Sequence, residues 1–284
     1  AWQDDWVGRE NIQSQSLQTT NITPALAYEI PNTNLSIGAG GQIVFGTVEF
    51  HQSVALPNDQ FVDAQLGGAG MGFGAVGSLY YEPIESLSIG FNYRSRVNVN
   101  FDEGKAHFEG EEDTPLYTTF QDNKGTTSIT TPDSFALGVG YRLDKLFLEF
   151  DVNYTLWQTY EKLVLDIETD DEEALDSLEI VNNWENAFAF RLGASYDVTD
   201  NLPIRLGFAY DMSPIPDATV NASLPGNDRI NASVGTGYTI AGFRADIGYQ
   251  LVTTIERDIQ NDRAPNGKYQ TTAHVIGINA GYGF

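Results

Sequence analysis

Residue polarity alternates with a period of two over several long stretches of this chain. In residues 86 to 101, SLSIGFNYRSRVNVNF, apolar side chains recur at alternate positions such as Leu87, Ile89 and Phe91. Residues 145 to 160, KLFLEFDVNYTLWQTY, repeat the pattern. Successive side chains of a β-strand point to opposite faces, so these stretches predict strands with one apolar and one polar face. A soluble β-sandwich alternates as well, but these runs reach the roughly 9 to 11 residues that a strand needs to cross a bilayer.

The connections between the predicted strands alternate between short and long. We predict eleven strands, near residues 16–29, 34–50, 69–81, 86–101, 127–141, 145–160, 185–198, 203–211, 229–240, 243–256 and 269–284. The short turns are IPNTN, EPIES, RLDK, TDNL and AG, and the long connections lie at 51–68, 102–126, 161–184, 212–228 and 257–268. Short turns on one side and long loops on the other are typical of outer-membrane barrels. The pattern therefore predicts an all-β fold, an antiparallel transmembrane β-barrel with its long loops outside the cell.

Composition narrows the classes of partner. The mean hydropathy is -0.26, as expected for strands that hide their apolar residues by alternation. The net charge of -24, from 15 basic and 39 acidic residues, makes nucleic acid and anionic lipid surfaces poor partners. Acidic residues concentrate in segments 102–113 and 166–179. Such blocks are typical of solvated loops, with a divalent-cation site as the alternative.

The sequence carries no pattern typical of an enzyme. The three histidines, His51, His107 and His274, are far apart, and cysteine is absent. No histidine pair has metal-ligand spacing, and no glycine-rich segment leads from a strand into a helix. We therefore expect no catalytic residues, no cofactor and no metal, and we interpret the glycines as barrel packing.

The end of the chain, HVIGINAGYGF, is a strand whose aromatic residues Tyr282 and Phe284 share one face. Aromatic side chains at a membrane interface form girdles, and this ending resembles the signal that the outer-membrane assembly machinery recognises. An odd number of antiparallel strands cannot close with every neighbour antiparallel. We expect residues 1–284 to form a single barrel domain from which an N-terminal part with an odd number of strands is missing.

Three longer stretches resemble a known family. They are DDWVGRE (residues 4–10) leading to NITPALAYEI (21–30), TPDSFALGVGYRLDKLFLEFDVNYTLWQTYEKL (131–163), and the stretch from 190 to 238 that contains YDMSPIPD and LPGNDR. Together they are similar to the FadL-type long-chain fatty acid transporters, a family that includes TodX-type channels for aromatic hydrocarbons. The first three strands and the hatch of that family have no counterpart here.

The resemblance implies a fourteen-stranded outer-membrane barrel, plugged by an N-terminal hatch, with a lateral opening at a kink in the third strand. It implies passive uptake of hydrophobic small molecules such as long-chain fatty acids or aromatic hydrocarbons. The expected partners are that ligand, outer-membrane lipid and lipopolysaccharide, and the assembly machinery. A general diffusion pore or structural barrel for small polar solutes is the alternative.

The polar strand faces, assigned to the lumen, contain six arginines and five acids: Arg94, Arg96, Arg142, Arg191, Arg205, Arg244, Glu149, Asp151, Asp197, Asp211 and Asp246. These groups are expected to pair, because an enclosed charge without a partner is costly. Alternatively, Arg94, Arg96 and Arg191 hold a fatty acid carboxylate, since a guanidinium binds carboxylate through two parallel hydrogen bonds.

Apolar residues in two extracellular loops are candidates for ligand capture, with ordinary loop packing as the alternative. They are Leu56, Phe61, Ile215 and Leu224. Trp157 and Trp184 at strand ends are typical of interface anchors. Pro24, Pro132 and Pro203 mark breaks in the strand ladder, because proline lacks the N–H group.

Overall fold

A computed structural model of the chain describes residues 12–55, 61–109, 123–167, 177–222, 225–263 and 265–283. Its strands are β1 (Ser14–Ile22), β2 (Ala25–Ile30), β3 (Leu35–Ala55), β4 (Phe61–Ile84), β5 (Leu87–Arg94), β6 (Val97–Glu109), β7 (Asn123–Thr131), β8 (Ser134–Leu143), β9 (Leu146–Thr155), β10 (Lys162–Ile167), β11 (Ser177–Val181), β12 (Ala187–Thr199), β13 (Leu202–Asp211), β14 (Arg229–Ile240), β15 (Phe243–Thr254), β16 (Arg257–Ile259), β17 (Gly267–Tyr269) and β18 (Thr272–Tyr282). Two short 3-10 helices lie at Trp157–Thr159 and Asp217–Thr219. Within these described ranges, no helix is long and apolar enough to cross a membrane.

One large antiparallel sheet contains every strand except the separate hairpin of β16 and β17. Strands β1 and β2 pair with β3, and β3 pairs with β4. The sheet then follows two paths: β4, β5, β8, β9, β12, β13, β14, β15 and β18 on one, and β4, β6, β7, β10 and β11 on the other. The predicted all-β antiparallel fold is confirmed.

Each predicted strand position holds one or two observed strands, but some of the predicted loops are strand as well. Strands β3 and β4 pair as far as Ala55 and Phe61, so the connection predicted at 51–68 is largely ladder. The hairpin β10–β11 falls within the loop predicted at 161–184, and the hairpin β16–β17 covers both ends of the loop predicted at 257–268 and extends one residue beyond it. Alternation did not predict these hairpins because strands beyond the bilayer need no continuous apolar face.

The period of two separates the faces of the long strands as predicted. Leu192 lies opposite Phe208, and both side chains are about half exposed on the apolar face. Arg191, on the other face, pairs with Asp211. The polar face that carries this ion pair is assigned to the lumen, and the apolar face is assigned to lipid.

Two of the predicted strands are interrupted at prolines that the sequence marks as breaks, and a third is interrupted at a position that was not predicted. Pro24 separates β1 from β2, and Pro132 separates β7 from β8. Ser95 lies between β5 and β6, at nearly the same height as Pro132. Pro203 remains inside β13, opposite Asp197, where the register of β12 shifts.

Strand β6 passes over the lumen face of β4 at Gly70 and Gly72, where it joins the β4 ladder. Strand β4 pairs with β5 from Val76 onwards, and it pairs with β6 over the residues up to and including Met71. A Cβ atom added at Gly72 would lie 2.2 Å from the carbonyl oxygen of Asn98, and one added at Gly70 would lie 2.2 Å from that of Asn100. Glycine is therefore required here because the backbone of β6 occupies the space of a side chain.

The crossing creates a buried apolar cluster on the lumen side of the wall. Val97, Val99 and Phe101 of β6 pack against Val44 and Val48 of β3, and all are at most 5% exposed. Burial of each such side chain stabilises the fold by about 1.5–3 kcal/mol. This cluster holds β6 against β3.

Candidate functional site

A cavity of about 430 Å³ lies at the extracellular mouth of the lumen. Ile12 lines it from just before β1, Phe50 from β3, Leu163 from β10, and Trp184 and Ile215 from the loops. The volume lies in the range of small-molecule sites, about 300–1,000 Å³. Segments that are distant in the sequence therefore line one partly apolar cavity.

Aromatic residues pack together beside this cavity. The ring of Trp184 meets those of Trp157 and Tyr160 edge to face, with centroids 5.0 and 4.9 Å apart. Trp184 also packs against the loop cluster of Ile215, Val220 and Ile259. Both tryptophans therefore lie in one cluster at the mouth, because the loop fold brings them together. Burial raises the pKa of the Tyr160 phenol.

Arg257 ties the extracellular loops to one another. Its Nε donates to Oδ1 of Asp217 at 2.6 Å, its Nη1 to the carbonyl oxygen of Gly226 at 2.9 Å, and its Nη2 to that of Ile215 at 2.7 Å. Nη2 of Arg263 donates to the carbonyl oxygen of Val181. These bonds connect the 212–228 loop, the β16–β17 hairpin region and β11 into one rim.

A second cavity, of about 60 Å³, shares Phe50 with the mouth cavity, and its lining combines apolar side chains and glycines with Lys105 and Asp166. Val48, Phe50, Leu66 and Phe101 line it, and Phe50 also lines the mouth cavity. An apolar surface therefore continues from the mouth to the lumen face of β3 and β4.

Further down the lumen the arginines pair with acids. Nη2 of Arg191 lies 3.4 Å from Oδ1 of Asp211, and Nη2 of Arg229 lies 4.0 Å from Oδ2 of the same residue. Asp246 accepts from Arg205 at 2.9 Å and from Nε of Arg244 at 2.8 Å. These pairs form part of the network expected for enclosed charges.

The other two arginines that were predicted to bind a carboxylate also have protein partners. Nη1 of Arg94 donates to Oε1 of Gln42 at 2.9 Å. Arg96 donates to Asp133 from both its backbone N–H, at 3.0 Å, and its Nε, at 2.7 Å. Asp133 follows Pro132 in the strand break, and this position is the one sequence signal for its role.

The structure does not bring the three predicted arginines together. Arg94 ends β5 and Arg191 lies in β12, and strands β8 and β9 separate these two in the sheet. Arg96 lies in the interruption between β5 and β6. A shared carboxylate site for all three is not formed, and the role of each one in ligand binding stays a prediction.

The residues predicted for capture and assembly have varied positions. Ile215 is buried, with 6% of its surface exposed, and packs in the loop cluster. In this structure its side chain therefore contributes to loop packing. Leu56, Leu224, Phe284 and the side chain of Phe61 lie outside the described residues. Tyr282 is on the apolar face and contacts Phe243, with ring centroids 4.6 Å apart. In the described part of the chain, no group of histidine and acidic residues could hold a metal ion.

Comparison with known proteins gives a match over the entire chain. A family model described as "Outer membrane protein transport protein (OMPP1/FadL/TodX)" matches residues 1–284. Outer membrane protein P1 of Haemophilus influenzae (strain ATCC 51907 / DSM 11121 / KW20 / Rd) is 30% identical, over 94% of this chain and 65% of its own length. The long-chain fatty acid transport protein of Escherichia coli (strain K12) is 25% identical, over 99% and 70%. The chain spans 53% of the length of a third relative, the putative outer membrane protein NMB0088 of Neisseria meningitidis, which is 26% identical over 78% of this chain.

Solved structures share the fold. A Pseudomonas aeruginosa FadL homologue superposes with a TM-score of 0.87 at 18% identity, over 99% of this chain and 71% of that one. The Ralstonia pickettii toluene transporter TbuX gives a TM-score of 0.66 at 14% identity, over 94% and 68%. At these sequence identities, the similarity to the solved structures shows a shared fold alone.

Proposed function

Because the chain belongs to the OMPP1/FadL/TodX family of outer-membrane transport proteins, we propose that it provides a passive route for hydrophobic small molecules such as long-chain fatty acids or aromatic hydrocarbons. Membership confirms the resemblance found in the sequence, together with the β-barrel fold and the outer-membrane location. Relatives carry names of transport proteins and transporters, and we propose that this chain likewise acts without catalysis. We also propose that residues 1–284 form one barrel domain.

The observation that carries the proposal is the apolar surface through Phe50. Phe50 belongs to both cavities, and Val48, Leu66 and Phe101 continue the surface inward. Moving apolar surface out of water is favourable by about 25 cal/mol per Å². Entry of a hydrophobic molecule into the mouth therefore lowers the free energy, and no energy source is required for this step.

Onward movement is consistent with weak binding at several places. Below the apolar cavity, the lumen face has the ion pairs of Arg191 and Asp246, which give a hydrophobic molecule no comparable surface. A ligand therefore binds more weakly below the apolar cavity and dissociates from there more readily. Net flux then follows the concentration difference across the membrane.

The test compares two phenylalanines of the same strand in the full-length protein. Phe50 faces the cavities, whereas Phe45 lies on the lipid face and is 44% exposed. Phe50→Ala is expected to weaken binding of both oleate and toluene about tenfold, equivalent to about 1.4 kcal/mol. Phe45→Ala is the matched control and is expected to leave binding unchanged.

Binding is measured by titration in nanodiscs, and conductance is recorded in planar bilayers. Equal binding by the two variants would contradict the proposed route. Steady ion conductance without binding of either ligand would support the general diffusion pore instead.

A further inference from the structure

A row of aromatic side chains crosses the lipid face of four neighbouring strands. Tyr93 of β5 lies opposite Phe135 of β8. Phe135 in turn lies opposite Tyr154 of β9, which lies opposite Phe188 of β12. The ring centroids of Tyr93 and Phe135 are 5.1 Å apart, and those of Tyr154 and Phe188 are 4.4 Å apart. Direct cross-strand pairing therefore makes these four residues one aromatic row.

The aromatic row lies at the outer boundary of the membrane. Phe188 is eight positions from Tyr196 along β12, and Tyr196 lies close to the short turn TDNL at the other end of the strand. Eight residues span about 27 Å along a strand, which is about 21 Å along the membrane normal at a tilt of about 40°. The apolar band of such barrels is about 25 Å tall, with an aromatic girdle at each edge. The row therefore has the position of the upper girdle, at the height of the lipid head groups.

An ion pair lies directly above this row, where β5 is followed by β6 and β7 by β8. Oδ1 of Asp133 accepts from the hydroxyl of Tyr93 at 2.8 Å and from the backbone N–H of Arg96 at 3.0 Å, and Oδ2 accepts from Nε of Arg96 at 2.7 Å. Tyr93 thus connects the ion pair to the lipid face of the wall. Because Arg96 follows the strand interruption, the alternation that assigned it to the lumen does not extend to it.

The outer part of the Arg96 guanidinium is available to a ligand. Its side chain is 58% exposed, whereas that of Asp133 is 9% exposed. Nη1 and Nη2 of Arg96 form no hydrogen bond with the residues that the structure describes. The bond from Nε to a buried carboxylate holds the guanidinium plane in place before any ligand binds. A planar guanidinium held in this way suits a phosphate group, which accepts two parallel N–H bonds.

The local charge also favours an anion. Arg94 donates to the uncharged side chain of Gln42, so Arg94 and Arg96 are opposed here by the single carboxylate of Asp133. The chain as a whole has a net charge of -24, which disfavours a general attraction to anionic lipid. Binding of an anionic head group therefore depends on a cation that is fixed in the right place.

We propose that Arg96 binds a phosphate group of an outer-leaflet glycolipid of the lipid A type, whose acyl chains lie along the apolar face below. Phe91 and Leu137 lie opposite each other beneath the aromatic row and are 37% and 49% exposed. They offer the acyl chains an apolar surface directly below the guanidinium. This site lies on the outside of the wall, so it goes beyond the proposed transport function and does not depend on it.

The test measures lipid retention by the full-length protein in native mass spectrometry, after release from detergent micelles. The probe is diphosphoryl lipid A, and the comparison is the same lipid with both phosphates removed. Removal of the phosphates is expected to weaken binding at least about tenfold. Equal retention of the two lipids would overturn the proposal. Displacement of lipid A by excess inorganic phosphate would also overturn it, because a site for free phosphate needs no acyl chains.

Two variants of Arg96 and a matched control locate the site. Arg96→Gln is expected to weaken binding of diphosphoryl lipid A about tenfold. Arg96→Lys keeps a cation beside Asp133, which preserves the ion pair, but it lacks the planar fork and is expected to lose binding to a similar extent. Arg142→Gln removes an arginine of similar exposure, 54%, beside the short turn after β8, and is expected to leave binding unchanged. Full binding by Arg96→Lys, or equal losses in Arg96→Gln and Arg142→Gln, would refute the assignment.

Discussion

Replacement of Gly72 by alanine tests the crossing of β6 over β4. The new Cβ would lie 2.2 Å from the carbonyl oxygen of Asn98 and 2.6 Å from Cγ1 of Val97. Since Asn98 is held in the ladder with β7, β6 must move away as a unit. Overpacking costs about 1–3 kcal/mol, and partial exposure of Val97 and Phe101 adds a share of the about 1.5–3 kcal/mol that each contributes. We expect Gly72→Ala to lower the free energy of unfolding by about 3–5 kcal/mol.

The assay is guanidinium unfolding of the full-length protein in lipid vesicles, followed by tryptophan fluorescence. Gly77→Ala, in the same strand, is the control, because no atom lies within 4 Å of its added Cβ. Its effect is expected to stay within about 0.5 kcal/mol. Gly70→Ala should resemble Gly72→Ala, since its Cβ meets the carbonyl oxygen of Asn100. Identical unfolding midpoints for Gly72→Ala and Gly77→Ala would refute the crossing.

Three further predictions concern polar contacts. Arg257→Ala removes the bonds between the loops, so proteolysis within residues 212–228 is expected to accelerate about tenfold, whereas Lys268→Ala, which breaks an exposed ion pair, should change the rate little. Asp133→Asn leaves Arg96 with a weaker acceptor and is expected to cost about 1–3 kcal/mol of unfolding free energy; an unchanged denaturation midpoint would contradict this. Because burial raises the pKa of Tyr160, the unfolded chain loses this proton first, and stability should fall as the pH rises above about 10. Tyr160→Phe should reduce that alkaline loss, and an equal loss in both proteins would show that Tyr160 is not its source.

The sequence alone determined the strands that cross the membrane and the orientation of their faces. Phe190 and Leu192 alternate with Arg191, and a period of two leaves only one way to separate lipid from lumen. Pro24 and Pro132 likewise marked real interruptions, because a missing N–H acts locally. These features depend on near neighbours in the chain and on the contrast between lipid and water.

Tertiary structure alone decided which distant groups meet. The glycines at 70 and 72 accommodate a strand that follows more than 20 residues later, and nothing near them in the sequence indicates a backbone above them. Asp133 was not predicted as the partner of Arg96, because ion pairing depends on the alignment of β5 and β6 with β7 and β8. Ile215 is apolar in sequence whether it packs in a loop cluster or faces a ligand, and only the arrangement of three loops buries it. Contacts between segments far apart in the chain are set by sheet geometry, which local alternation does not encode.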